Sequence, residues 1–168
     1  SAQESLIRNV TSAYSTSGTF TAYGMHGTGT ELGDPIETSA LLRALATTGR
    51  CAPSILSSKS IRGHSEGTSG LAGFLSSLEC LNAHENAACF ASLRNLNPYA
   101  LRAHASIRAG FPRAASANIR NDESSHIHAG VSAFGMSGTN ASCVIRESKT
   151  VESARQANIC PMTDLSAW

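Results

Sequence analysis

Two segments of the chain follow one plan. A short apolar run ends in a polar, glycine-containing loop that carries a histidine, and a helical pattern comes next. In the first, Phe20-Thr-Ala-Tyr-Gly-Met25 reads as a buried strand that delivers His26 at its C-terminal end, ahead of Gly27-Thr-Gly-Thr30. In the second, Ser54-Ile-Leu-Ser-Ser-Lys59 reads as a strand leading to Gly63-His64. Strand, loop and helix in that order, twice, point to a layered α/β architecture, where ligands gather beyond the C-terminal ends of strands. The two histidine loops are therefore the expected seat of any chemistry.

The flanking segments fit such layers. Leu6, Ile7, Val10 and Tyr14 share one stripe of a helix over residues 3–14, with Gly18 as a stop. Asp34-Pro35-Ile36-Glu37 reads as a helix start: Asp34 as cap, Pro35 at the first helical position, Glu37 closing a capping box. That helix is expected to run to about Thr48, before Gly49. From about Ser65 to Ala83, Leu71, Leu75, Leu78 and Leu81 keep helical spacing while Gly67, Gly70 and Gly73 recur along another line. Each glycine weakens an isolated helix by roughly 1 kcal/mol against alanine. The expectation is a central helix whose neighbours approach its backbone closely. Residues 128–134 and 141–146 read as a hairpin around a Gly135–Asn140 loop. Residues 87–125 are less informative: Asn95–Pro98 reads as a turn, and Arg102–Asp122 has little periodicity. We assign 1–147 to one domain and 148–168 to a polar tail or the start of a linker.

Composition excludes several classes. With 13 Lys+Arg against 12 Asp+Glu and no basic run, nucleic acid is not an expected partner. Apolar stretches fall short of the roughly 20 residues that span a bilayer, so no membrane span is expected. Five cysteines, Cys51, Cys80, Cys89, Cys143 and Cys160, form no Cys-x-x-Cys pair. Their odd number favours a reducing, intracellular setting, the cytoplasm by default; an organelle stays open because the chain has no starting Met. Gly33 follows Gly27-x-Gly29 one position too late for a dinucleotide fingerprint, and no Gly-Lys-Ser/Thr ends a phosphate loop. Gly135-Met-Ser-Gly-Thr139 fails as a nucleophile elbow, having threonine where the last glycine belongs. His126 and His128 share a strand face, but no further ligand has metal-site spacing, so no metal is expected.

Three ordered blocks remain: His26-Gly-Thr-Gly-Thr30 with Glu31-Leu-Gly-Asp-Pro-Ile-Glu37, Lys59-Ser-Ile-Arg-Gly-His64-Ser-Glu66, and Phe134-Gly-Met-Ser-Gly-Thr-Asn140. Together they resemble the C-terminal half of a β-ketoacyl synthase (ketosynthase) domain of a polyketide or fatty-acid synthase, over about Gln3 to Glu147. The resemblance implies a thiolase-like layered α/β/α fold and decarboxylative Claisen condensation of acyl and malonyl-type thioesters. It assigns His26 and His64 as catalytic donors to the enolate, and Lys59 and Glu37 as a charged pair holding the two histidine segments in register. It assigns Thr28 and Thr30 to the pantetheine arm, and Phe134, Gly135, Gly138 and Asn140 to a gating loop. No permanently bound cofactor is implied. The substrate rides on the phosphopantetheine of an acyl carrier protein, and the full-length domain is expected to be a homodimer.

The chain departs from the family pattern in places. No cysteine lies in the family's nucleophile setting, a Thr-Ala-Cys-Ser-Ser-like turn that belongs upstream of residue 1, so the segment alone is not expected to condense anything. Gly24 replaces a glutamate, Ile61-Arg62 an asparagine and an aliphatic residue, and Ser142 a histidine. A buried Arg62 would be costly without a partner, so either the loop differs or the guanidinium reaches solvent. The alternative is a non-catalytic ketosynthase-like subunit that binds a carrier protein or shapes the chain cavity.

Overall fold

The structure is a computed structural model that describes residues 1–14, 18–46, 53–83, 85–86, 97–100, 116–117 and 126–147. In chain order its elements are α1 (Ala2–Ser12), β1 (Gly18–Gly24), α2 (Gly33–Ala46), β2 (Ser54–Leu56), α3 (Lys59–Arg62), α4 (Ser69–Ala83), β3 (Glu85–Asn86), β4 (Ser116–Ala117), β5 (His126–Phe134) and β6 (Asn140–Arg146). A sheet of order β2-β1-β5-β6 forms the middle, and β3 pairs with β4 separately. β1 runs parallel to both β2 and β5, and β6 closes antiparallel on β5. The β1–α2–β2 run is the expected strand–loop–helix unit, with His26 at the end of the inner strand β1.

Two-residue alternation along β1 divides the core. Tyr23 and Met25 face one side, with Ile7 of α1, Leu41, Leu42, Ala44 and Leu45 of α2, and Ile55. Ala22 faces the other, with Leu56, Ala129, and Cys80 and Leu81 of α4. Helices thus cover both faces of the sheet, α1 and α2 on one and α4 on the other, the layering expected from the sequence.

Several local expectations are corrected. β2 stops at Leu56 because Ser57 and Ser58 carbonyls accept from the amides of Ser60, Ile61 and Arg62, turning the chain into the single-turn α3. Lys59 is thereby the first residue of a helix and not the last of a strand. α4 comes close to the sheet at two of its glycines: a Cβ on Gly70 would lie 3.2 Å from Ala133 Cβ, and one on Gly73 3.3 Å from Val131 Cγ2. Gly67 meets nothing within contact range, and Leu71 and Leu75 on the outer face are 61% and 43% exposed. Among the described residues α4 packs on the sheet through one face while Leu71 and Leu75 on the other are exposed, which differs from the enclosed central helix that its composition suggests.

Candidate active site

His26 leaves β1 just after Met25, whose N–H donates to the Leu56 carbonyl at 2.8 Å. The Glu37 carboxylate rises from α2 beneath the turn, accepting the His26 N–H at 2.6 Å and the Gly27 N–H at 2.9 Å. Glu37 is 4% exposed, so these two donors are what make a buried carboxylate tolerable. Its expected capping-box role is corrected: it serves the preceding loop, not its own helix. Thr30 does the capping, its Oγ1 accepting the Gly33 N–H at 3.1 Å, while Asp34 Oδ1 reaches back to the Gly29 N–H at 3.1 Å. The loop is thus held from within, by α2's own first turn.

Gly27 is required by this path. Its φ of 47° lies in the left-handed region, and a Cβ there would sit 2.6 Å from Ser57 Oγ. Ser57 instead donates to the Gly27 carbonyl at 3.3 Å, tying the first histidine loop to the second.

The second loop begins where α3 ends at Gly63, with φ 75°. His64 follows, and its Nδ1 accepts the Glu66 N–H at 2.9 Å. Glu66 adopts φ 43°, a left-handed conformation that non-glycine residues hold at a cost on the order of 1–3 kcal/mol. That strained turn aims the amide at the ring. The His26 and His64 rings meet edge to face, centroids 5.6 Å apart at 88°, and the Phe134 ring lies 6.1 Å from that of His26.

Electrostatics then define both imidazoles. Lys59 Nζ lies 3.3 Å from His26 Nδ1. Burial first, then the Lys59 ammonium and the neighbouring His64, push the His26 pKa down to about 4, so the ring is neutral near pH 7. An ammonium beside Nδ1 can only donate, which leaves the ring proton on Nε2. The Glu66 N–H occupies Nδ1 of His64 in the same way, leaving Nε2 as the ring nitrogen open to a ligand. Burial pushes the Glu37 pKa up to about 7, against the two amide donors that lower it. Burial also lowers that of Lys59, with Glu37 acting to raise it. Lys59 and Glu37 form no direct ion pair; one holds the His26 ring and the other the His26 backbone.

Thr28 and Thr30 are exposed on the loop, their hydroxyls 3.4 Å apart. Phe134 packs partly buried against the core that contains Tyr23 and Met25. Its loop is closed by Gly135 N–H to the Thr139 carbonyl at 2.7 Å, with Gly138 at φ 90° and Asn140 paired opposite Phe134. The candidates His26, His64, Lys59 and Phe134 therefore converge. Among the described residues no group of three or more His, Cys, Asp or Glu gathers as a metal site.

The departures have local reasons. A Cβ on Gly24 would lie 2.9 Å from Ser77 Oγ and 3.3 Å from Val131 Cγ2, so glutamate has no room there. The Arg62 side chain is 53% exposed and sits 3.6 Å from Glu79 of α4, which resolves the burial problem in favour of solvent. Ser142, half-buried, joins a hydroxyl cluster with the buried Tyr23 and Ser132. Sequence reading missed Tyr23, Ser132, Ser57 and the Glu66 backbone. Only the inward parity of Ser132 and Ser142 on alternating strands could have signalled the hydroxyl cluster.

Residues 1–89 match the model of the β-ketoacyl synthase C-terminal domain. The chain belongs to the β-ketoacyl synthase family, as a C-terminal ketosynthase domain with the thiolase-like fold. It is 36% identical over 153 residues to a phenolphthiocerol/phthiocerol polyketide synthase of Mycobacterium tuberculosis, covering 81% of this chain and 9% of that protein. It is 35% identical over 147 residues to the highly reducing polyketide synthase otaA of Aspergillus carbonarius, covering 87% of this chain and 6% of that protein. The ketosynthase domain KS7 of OzmH, from oxazolomycin synthesis in Streptomyces albus JA3453, superposes with TM-score 0.75 at 29% identity. That match covers 88% of this chain and 27% of the solved one. The chain thus spans under a tenth of the curated relatives' length. No helix among the described residues is long and apolar enough to cross a membrane.

Proposed function

We propose that this chain supplies the paired histidine donors of a polyketide ketosynthase, an acyltransferase that makes carbon–carbon bonds by decarboxylative condensation. The observation that carries the reading is the His26–His64 pair: rings in contact, with Nδ1 of each facing a donor and Nε2 of each left over to serve a ligand.

The chemistry follows from that donor set. A malonyl-type thioester, carried on the phosphopantetheine of an acyl carrier protein, loses carbon dioxide when the bond to its carboxylate breaks. The electron pair moves onto the thioester oxygen as an enolate, and two N–H donors aimed there stabilise the transition state more than the ground state. The enolate carbon then attacks the acyl thioester on a cysteine, a carbon–carbon bond forms, and the thiolate leaves. The rest of the ketosynthase provides that cysteine, so this chain alone makes no product.

The neighbouring residues have matching parts. Lys59 keeps His26 neutral and its Nε2 protonated, Glu37 fixes the backbone that presents the ring, Thr28 and Thr30 face the pantetheine arm, and Phe134 with its glycine loop gates the nucleophile's side. The complete domain works as a homodimer with residues 1–147 as its C-terminal part; residues 148–168 lie outside the described residues. The reaction uses no permanently bound cofactor.

The test is condensation by an intact ketosynthase containing this segment, given an acyl donor and a malonyl-loaded carrier protein. Product that disappears in a His26→Ala/His64→Ala variant supports the reading. A wild-type protein that binds carrier but neither decarboxylates nor condenses would overturn it in favour of a non-catalytic role.

A further inference from the structure

The β5–β6 hairpin that carries the Phe134 loop is locked to the His26 strand by three hydroxyls. Tyr23 Oη lies 2.9 Å from Ser132 Oγ and 2.9 Å from Ser142 Oγ, one hydroxyl group from each of β1, β5 and β6. The two serines are 3.2 Å apart, and Ser142 donates to the Val131 carbonyl at 3.1 Å. All three protons can be placed: Ser132 to Tyr23, Tyr23 to Ser142, Ser142 to Val131. Tyr23 and Ser132 are buried and Ser142 is half-buried, so the Tyr23–Ser132 bond is the one most shielded from water.

Its place in the sheet is specific. Ser132 pairs with Ser142 and Phe134 with Asn140 in the β5–β6 register, so the cluster lies one same-face step below the loop. Tyr23 stands three residues before His26. To reach across β5 its ring lies over Gly130, where a Cβ would collide with Tyr23 Cε2 and Cδ2. A tyrosine, a glycine and two serines on three strands therefore form one unit, and the ordinary packing of a strand would have been met by apolar side chains.

We infer that Tyr23 is a positioning residue, whose hydroxyl holds the Phe134 loop in register with His26 through Ser132 and Ser142. The role rests on the ketosynthase reading for its catalytic consequence, but the mechanical link does not. Without the hydroxyl the ring still fills the core and the β1–β5 ladder remains through Gly24 and Val131, while the hairpin end beyond it loses its side-chain tie to β1 and the loop opens more freely.

The experiment uses an intact ketosynthase containing this segment, with hydrogen exchange followed by mass spectrometry alongside condensation kinetics. Tyr23→Phe is expected to speed exchange across residues 134–140 by about fivefold, the factor one ordinary hydrogen bond corresponds to, while β2 exchange stays unchanged. It is expected to lower condensation kcat by about tenfold with KM for the malonyl carrier little altered, a loss of alignment and not of binding. Ser142→Ala should speed exchange across the same residues, and the double variant should fall short of the sum of the two single effects, because the Tyr23–Ser142 bond is lost in both. Should Tyr23→Phe fail to fold, Ser142→Ala carries the test by itself. Unchanged loop exchange, acceleration spread evenly over the sheet, or additive effects would each overturn the proposal. If wild type makes no product, the functional reading falls separately, and the exchange data still decide the tie.

Discussion

Lys59 and His26 come from different elements, a single-turn helix and a strand end, yet the Lys59 ammonium lies 3.3 Å from His26 Nδ1. A cation there and a half-buried ring have one joint consequence: the imidazole stays neutral and carries its proton on Nε2. The site's donor character is thus set from behind the ring.

This gives a prediction on protonation. With the His26 pKa at about 4 in the fold against 6.5 for the unperturbed group, the unfolded chain binds the proton more readily between those values. The stability contribution of neutral His26 is complete above about pH 6.5 and falls away as pH drops toward 4. Nitrogen NMR of the histidine side chains should show Nε2–H on His26 with no titration between pH 5 and 8. Lys59→Met should raise its midpoint. A His26 midpoint at the unperturbed value in the wild type would count against the assignment.

Glu37 makes a second prediction. Its carboxylate receives both the His26 and Gly27 amides from a buried position, and Glu37→Gln turns one acceptor oxygen into a donor facing an N–H. A buried amide left unsatisfied costs about 1–3 kcal/mol. Denaturant unfolding should show a loss of that size. Full stability in the variant would mean that the carboxylate is not what holds the turn.

Two glycines should resist substitution for different reasons. Gly27→Ala meets a left-handed φ and the Ser57 hydroxyl, whereas Gly130→Ala drives a methyl into the Tyr23 ring. Overpacking of this kind costs about 1–3 kcal/mol, and both variants should lower Tm. Gly29→Ala has the strained φ of 76° but open space, so its loss should be smaller. Equal losses at all three would contradict the packing described.

Arg62 should matter little to folding. Its pair with Glu79 is exposed on both sides and 3.6 Å long. Such pairs contribute roughly 0–1 kcal/mol, so Arg62→Ala is expected to change stability by less than about 1 kcal/mol in denaturant titrations. A larger loss would show that the guanidinium packs more than the geometry indicates.

Much of this molecule could be read from residues in order. The strand before His26, the helix after the Asp34-Pro35 pair and the closing hairpin all follow from periodicity and turn chemistry, which are local. The partner of Glu37 could not be read in this way. A Glu three residues after an Asp suggests a capping box, but burial beneath the β1 turn offered two amides that only the tertiary fold brings near. The outer face of α4 was illegible for a related reason: glycine and leucine spacing reports which faces of a helix can pack, not which of them is covered, and Leu71 and Leu75 are exposed. Tyr23 looked like one more apolar strand residue because its hydroxyl partners lie on strands far along the chain.

The claim that His26 and His64 act together on one enolate is tested most directly by malonyl-carrier decarboxylation in an intact ketosynthase containing this segment. Removing one such donor typically costs on the order of 10²–10³ in rate. His26→Ala and His64→Ala should each lose about that much, with carrier binding retained. Decarboxylation at the wild-type rate in either variant would contradict the account.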